Sequence, residues 1–325
     1  MALKPLNDAH AYQIQAGTSG RRAGHDFERD IAYHINELAY PIDIRSRTVG
    51  HVLKGDPASL CLNYIGSGLE ISRITSASAF STGALATSED CKQSITIDGF
   101  KISRCKSDLV LRIATSDGRK FTIGVSIKQC NNRTPTNAQL YFSTARAFSD
   151  LLRSNGLIVS DAAVCALRQF CGDEGFRPSD DPCISADRLT DPRRYFWEEI
   201  NSSGRLEWEK LFSDYQDEIS RLLFQKAYID DPIPPTFLIH KTRSEASWGN
   251  TEAAYYSIEE LIALSHTYQG FATKRYSVRK GSYKDPTGVT HLAPRFGVIQ
   301  MQRGGQAQHP EQLQFNLQAG YFNKL

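Results

Sequence analysis

Apolar and polar positions recur along this chain with two different periods, and the changes of period mark its elements. From Gly24 to Leu38, apolar residues fall at Phe27, Ile31, Ile35 and Leu38, the three-to-four spacing of one helix face. The polar residues 1–20 predict a partly ordered lead-in. Residues 45–90 are rich in Ser, Gly and Thr, with a helix expected near 67–80. The period then drops to two. KSDLVLRIA (106–114) and KFTIGVSIK (120–128) flank TSDGR, the signature of two strands joined by a tight turn. Helices are expected over 136–154, where Leu140, Ala147 and Leu151 share a stripe, over 155–171, and over 193–228 with Trp197, Leu211 and Leu222 inside. Between the last two lies a Pro/Asp-rich loop, 173–192. IDDPIPPT (229–236) ends the last of these helices. TFLIHKT then reads as a strand, SIEELIALSH as a helix capped by Ser257, and the final forty residues as antiparallel strands. The Pro-rich segment suggests a division into residues 1–230 and 231–325, with the second part either separate or completing the first.

Composition excludes several classes. Of 325 residues 23% are charged and 40% hydrophobic, which is ordinary for a globular protein and far from disorder. No apolar run is long enough to span a membrane. The first twenty residues lack a signal-peptide core, so a cytoplasmic address is expected. The net charge of +2, from 38 Lys+Arg and 36 Asp+Glu, says nothing of a partner until its distribution is considered. Basic residues crowd into 274–303, while acids dominate 173–231. The seven cysteines form no CxxC pair, and Cys165, Cys171 and Cys183 have no zinc-ligand spacing. Free thiols are expected.

On the strand KFTIGVSIK, Phe121, Ile123, Val125 and Ile127 face one way, and Thr122, Gly124, Ser126 and Lys128 the other. The register of the hairpin decides what Lys128 meets. A two-residue Asp117-Gly118 turn pairs Asp108 with Ile127 and points it away from the lysine. A three-residue Ser116-Asp117-Gly118 loop with a left-handed glycine pairs Asp108 with Ser126 and puts all three on one face. The second register is expected, because it groups an acid with a lysine.

That arrangement resembles the PD-(D/E)xK nuclease superfamily, best known from type II restriction endonucleases. The matching residues are Ser107-Asp108 at a strand start and Ser126-Ile127-Lys128 at the end of the next strand. Gly24-His25-Asp26-Phe27-Glu28 resembles the family's helix that carries a further acid. Two positions depart: Ser107 stands for the usual Pro, and Ser126 for the usual second acid. The resemblance spans roughly residues 20–155. It implies an α/β (α+β) fold, a central mixed β-sheet flanked by helices, with a C-terminal region containing a β-hairpin. It implies Mg²⁺-dependent hydrolysis of double-stranded DNA, often by a homodimer. Asp108 and Glu28 would then be metal ligands with the Ile127 carbonyl, Lys128 would act on the attacking water or the developing charge, and Ser126 would hold a metal-bound water. Hard oxygen donors suit Mg²⁺, and one or two carboxylates suffice beside water and phosphate. Taken singly, an Asp at a strand start and a Lys at a strand end are solvated flanks. Ser126 also fits a DNA-binding protein whose nuclease core has degenerated, and a similar sheet could serve an RNA nuclease.

Two further stretches fit nucleic acid. Gln129, Asn131, Asn132 and Arg133 follow the lysine and offer amide and guanidinium groups to phosphate or base; an ordinary capped loop has the same composition. Between Gln300 and Gln318 lie seven Gln and one Asn. Leu313, Phe315 and Leu317 alternate with Gln312, Gln314 and Asn316, and Ile299 and Met301 with Gln300 and Gln302. Amides read adenine edges and arginine reads guanine. Arg295 and Arg303 frame the strip, preceded by Lys274, Arg275, Arg279, Lys280 and Lys284. Alternatively, the amides bond each other across the strands. His240 reads more simply as a core-edge histidine.

Overall fold

The computed structural model describes residues 8–46, 50–83, 85, 94–130, 137–184, 192–243, 247–268, 270–277, 290–303 and 311–318, and side chains from residue 23 onward. The chain forms two compact units, each assembled from separated segments. One takes residues 16–138 and 224–264, the other 139–223 and 265–318, with the chain ends divided between them. Residues beyond 230 contribute to both units. Elements are numbered along the chain.

The first unit holds most of α1 (Asp8–Glu37), then β1 (Ile42–Asp43), β2 (Val52–Gly55), α2 (Pro57–Gly68), β3 (Arg73–Ser81), β4 (Ile95–Ile97), β5 (Phe100–Ile102), β6 (Leu109–Thr115), β7 (Lys120–Gln129), β9 (Pro235–Lys241), β10 (Thr251–Ser257) and α7 (Ile258–Ser265). Seven strands form one sheet in the order β1-β3-β6-β7-β9-β10-β2. β7 pairs antiparallel with β6 and parallel with β9, so the sheet is mixed. Its helix-facing core joins Phe27, Ile31 and Ile35 of α1 and Cys61, Leu62 and Ile65 of α2 to Leu109, Leu111, Ile113, Ile123, Val125, Ile127, Phe237 and Ile239. Asp56 starts α2 by accepting hydrogen bonds from the Ala58 and Ser59 amides, with Pro57 at the first helical position. On the other face Ile97 and Ile102 of the β4–β5 hairpin pack on Val110, Cys105 and Leu85.

The second unit is also mixed α and β. Its sheet, in the order β11-β12-β13-β14-β8, contains β8 (Ala138–Thr144), β11 (Phe271–Ser277), β12 (Thr290–Phe296), β13 (Ile299–Arg303) and β14 (Gln312–Leu317). Helices α3 (Ala145–Ser154), α4 (Asp161–Cys171), α5 (Ser202–Asp214) and most of α6 (Gln216–Gln225) accompany it. The core is aromatic. Phe212 stacks on Phe296 with centroids 4.5 Å apart, and Phe148 lies 4.6 Å from Phe315. The buried Trp208 indole donates to the Ala163 carbonyl at 2.7 Å, tying α5 to α4.

Several local expectations change: α1 already runs from Asp8, and the helix expected over 155–171 begins at Asp161. The helix expected near 67–80 is β3, preceded by α2 ending at Gly68. The helix expected over 136–154 starts only at Ala145, where Thr144 caps it; residues 138–144 are strand β8. There Tyr141 packs on Phe148 and Phe315, so tertiary contact outweighs the helical spacing. The long helix over 193–228 is two shorter ones, α5 and α6, separated at Tyr215. Ser257 and Glu260 do form the expected cap of α7, each side chain bonding the other's amide.

Candidate active site

The hairpin closes through the three-residue loop. Thr115 and Arg119 bracket Ser116-Asp117-Gly118, and Gly118 has φ 83°. Leu109 pairs with Val125, which sets Asp108 opposite Ser126. The Asp108 amide donates to the Val125 carbonyl at 2.9 Å.

Three donors converge on one carboxylate oxygen. Asp108 Oδ2 accepts from the Ser126 hydroxyl at 3.1 Å, the Ile127 amide at 2.6 Å and Lys128 Nζ at 3.0 Å. Lys128 Nζ also donates to the Ile127 carbonyl at 3.1 Å. Ser126 is 1% exposed. The hydrogen bonds to the Asp108 carboxylate among the described residues all go to Oδ2.

Glu28 comes to the same end of the sheet from α1, and its oxygen Oε2 is buried with no hydrogen-bond partner among the described residues. Burial, and secondarily the charge of Asp108, push its carboxyl up to about 9, with Lys128 and Arg29 opposing. Gly83 makes room for it. A Cβ there would lie 2.1 Å from Glu28 Oε2. Gly83 is itself fixed beside the site, as the Thr82 and Gly83 amides both donate to the Asp108 carbonyl, at 2.9 and 3.3 Å.

Ser107, just before Asp108, has a structural role. Ser107 is fully buried; its hydroxyl donates to the Ile233 carbonyl at 2.7 Å, and its carbonyl accepts from Thr82 Oγ1 at 2.6 Å. Gly124 admits it, since a Cβ there would come within 2.1 Å of Ser107 Oγ. Asp231 anchors the same stretch by accepting the Lys106 amide at 2.8 Å. The Lys106 ammonium is held down near about 7 by burial first and by Lys128 second, with Asp108 and Asp231 pulling the other way. Neither Gly83 nor Lys106 was singled out by sequence reasoning; a glycine just after a strand and a lysine before Ser-Asp carry no local signal of their own.

Asp108, Ser126, Ile127, Lys128 and Glu28 are therefore gathered in one place. Gln129 is adjacent, but its amide nitrogen is buried near Gly24, without a hydrogen-bond partner among the described residues. Asn131, Asn132, Arg133, Arg279, Lys280 and Lys284 lie outside the described residues. In the second unit, Gln300 pairs with Asn316 and with Arg295, and Gln302 with Gln314, so these amides share one face. The opposite face, Ile299, Met301, Leu313, Phe315 and Leu317, is fully buried. The amides do bond each other: Asn316 Nδ2 donates to Gln302 Oε1 at 3.0 Å, and Gln314 Nε2 to Gln312 Oε1 at 2.8 Å. Arg303 is committed to the protein, donating to the Tyr195 carbonyl at 2.8 Å with its guanidinium 4.1 Å from the Phe196 ring centroid. Lys274 and Arg275 are exposed on β11.

The donor set at the sheet end suits a hard divalent cation. It offers two carboxylates, one of them with an orphaned buried oxygen, and the backbone carbonyl of Ile127. Among the described residues no group of three or more His, Cys, Asp or Glu side chains is placed to hold a metal. Cys171 is buried, Cys165 half-buried and Cys183 exposed, all as free thiols. No described helix is long and apolar enough to cross a membrane.

No family model matches the chain, and no curated protein matches it. Among solved structures, restriction endonuclease MspI in complex with its cognate DNA is similar at 11% identity and a TM-score of 0.41, over 80% of this chain and 76% of that one.

Proposed function

We propose that the protein is a Mg²⁺-dependent, sequence-specific endonuclease of double-stranded DNA, acting in the manner of a type II restriction enzyme. The observation that carries the proposal is the convergence of Ser126, Ile127 and Lys128 on Asp108 Oδ2, beside a buried Glu28 oxygen with no partner. An isolated carboxylate at that depth is costly, and a bound cation offsets the cost. Glu28, Asp108 and the Ile127 carbonyl would hold Mg²⁺, which when bound neutralises phosphoryl charge and lowers the pKa of a coordinated water.

The chain's own residues then have separate tasks. Asp108 is fixed by its three donors, so its second oxygen is presented in one orientation. Lys128 is anchored by Asp108 and by its neighbour's carbonyl, which points its charge at the place where a phosphodiester's negative charge develops. Ser126 supplies a hydrogen bond where the family pattern has an acid, so it orients Asp108 instead of adding a ligand. The amide face of β13 and β14, with Arg295, would contact base edges and phosphate. The amide pairs on that face fix the side chains' orientation in advance. Symmetric duplex cleavage would be served by a homodimer.

Ser126 also favours one second reading, a DNA-binding protein whose nuclease core no longer cuts. Incubating plasmid DNA with the protein and Mg²⁺ separates the two. Discrete fragments support the enzyme; a mobility shift without fragments supports the binder.

A further inference from the structure

We infer that His240 is a positioning residue for Lys128, holding the ammonium where it faces the substrate; the inference rests on the nuclease reading of this site. β9 runs parallel to β7 with Lys128 opposite His240 and Ser126 opposite Leu238. Phe237 and Ile239 point into the helix-facing core, so alternation puts Leu238 and His240 on the face of Ser126 and Lys128. His240 is 1% exposed. The sheet register therefore places a buried imidazole directly beside the lysine that grips Asp108.

Its charge state suits that place. Burial first, and the charge of Lys128 second, hold the imidazole down at about 4, so at neutral pH the ring is uncharged. A second cation there would compete with Lys128 for Asp108. A neutral ring instead offers an acceptor nitrogen and excludes water, and a dry wall strengthens the attraction between Lys128 and an incoming phosphate.

The test uses the full chain with His240→Phe, which keeps ring bulk, His240→Gln, which restores a polar group, and Asp108→Asn. Two readouts are taken: Mg²⁺-dependent plasmid cleavage, and the rate at which acetic anhydride labels Lys128, followed by peptide mass spectrometry against the exposed Lys101. We expect His240→Phe to lower kcat on the order of tenfold to a hundredfold with KM and thermal stability near wild type. Lys128 labelling should rise severalfold, and His240→Gln should recover part of both effects. Unchanged Lys128 labelling in His240→Phe overturns the inference. So does a parallel loss of stability, KM and kcat that His240→Gln does not relieve, which marks a packing residue only. If no variant and no wild-type sample cuts DNA but labelling still responds to His240, the positioning role stands and the nuclease reading falls.

Discussion

The Ser126 hydroxyl donates to Asp108 Oδ2 at 3.1 Å, at the strand position where the nuclease pattern carries an acid. A neutral donor there adds a hydrogen bond to Asp108 in place of a carboxylate. In the proposed site the second acid would be Glu28, which comes to the same end of the sheet from a different element. If that division holds, Ser126→Ala should slow cleavage by roughly tenfold, the effect of losing a hydrogen bond to a charged group of about 1.5 kcal/mol. The Ile127 amide and Lys128 still hold Asp108 in that variant. Single-turnover cleavage rates check this.

Gly83 is expected to be as sensitive as a ligand. An added Cβ would lie 2.1 Å from Glu28 Oε2 and 2.9 Å from its Cδ. The atom that must give is the end of a side chain, so the fold should survive. Gly83→Ala should fold with near-native thermal stability and yet cleave at least about a hundredfold more slowly, the scale of a misplaced catalytic group. Paired melting and cleavage measurements distinguish this from a general loss of structure.

Glu28 gives the metal-free protein a pH dependence with a definite sign. Its carboxyl titrates near about 9 in the folded chain against 4.5 for the ordinary group. The stability linked to it is complete below about pH 4.5 and is lost as pH rises toward 9. Glu28→Gln should therefore raise the stability of the metal-free protein at pH 8 by at least about 1 kcal/mol, while abolishing cleavage. Added Mg²⁺ should stabilise the wild type more at pH 8 than at pH 5, with proton release, and should do neither for Glu28→Gln. Calorimetry in buffers of different ionisation enthalpy measures both. A stabilisation by Mg²⁺ that is equal at the two pH values would dismiss Glu28 as the cation's partner.

On the amide face, two substitutions should separate selectivity from charge. Gln300→Ala should narrow the preference for the cognate site by about 1–3 kcal/mol with the salt dependence unchanged. Arg295→Ala should reduce the log–log salt slope by about 1 across all sequences. Binding titrations with Ca²⁺ in place of Mg²⁺, at several salt concentrations, supply both numbers.

The site was legible where its chemistry is local to one hairpin. The alternation of KFTIGVSIK sets which of its residues share a face, but the turn residues admit two registers, and the one that joins Asp108, Ser126 and Lys128 is preferred only because it groups an acid with a lysine. Glu28 is reached only through the resemblance of Gly24-His25-Asp26-Phe27-Glu28 to the acid-bearing helix of the nuclease family; taken alone it reads as a helix surface residue. Gly83 and His240 were not visible in this way. Gly83 matters only through a carboxylate 55 positions earlier in the chain, and His240 only through a parallel pairing with Lys128 across more than a hundred residues. Strand β8 shows the other limit. Over seven residues, Leu140 and Tyr141 fit a helical stripe as well as a strand, and the contact of Tyr141 with Phe315 decides between them.

The central claim is that Asp108 and Lys128 act together on a phosphodiester with a divalent cation. Plasmid DNA of known sequence, incubated with Mg²⁺ or with EDTA, tests it most directly when wild type, Asp108→Asn and Lys128→Ala are compared and the fragment ends are sequenced. The account predicts discrete fragments with one common end sequence for wild type in Mg²⁺ alone. Both variants should leave the plasmid uncut by at least about a thousandfold, while still shifting the mobility of a duplex. Metal-dependent cutting by Asp108→Asn at the wild-type rate would contradict it.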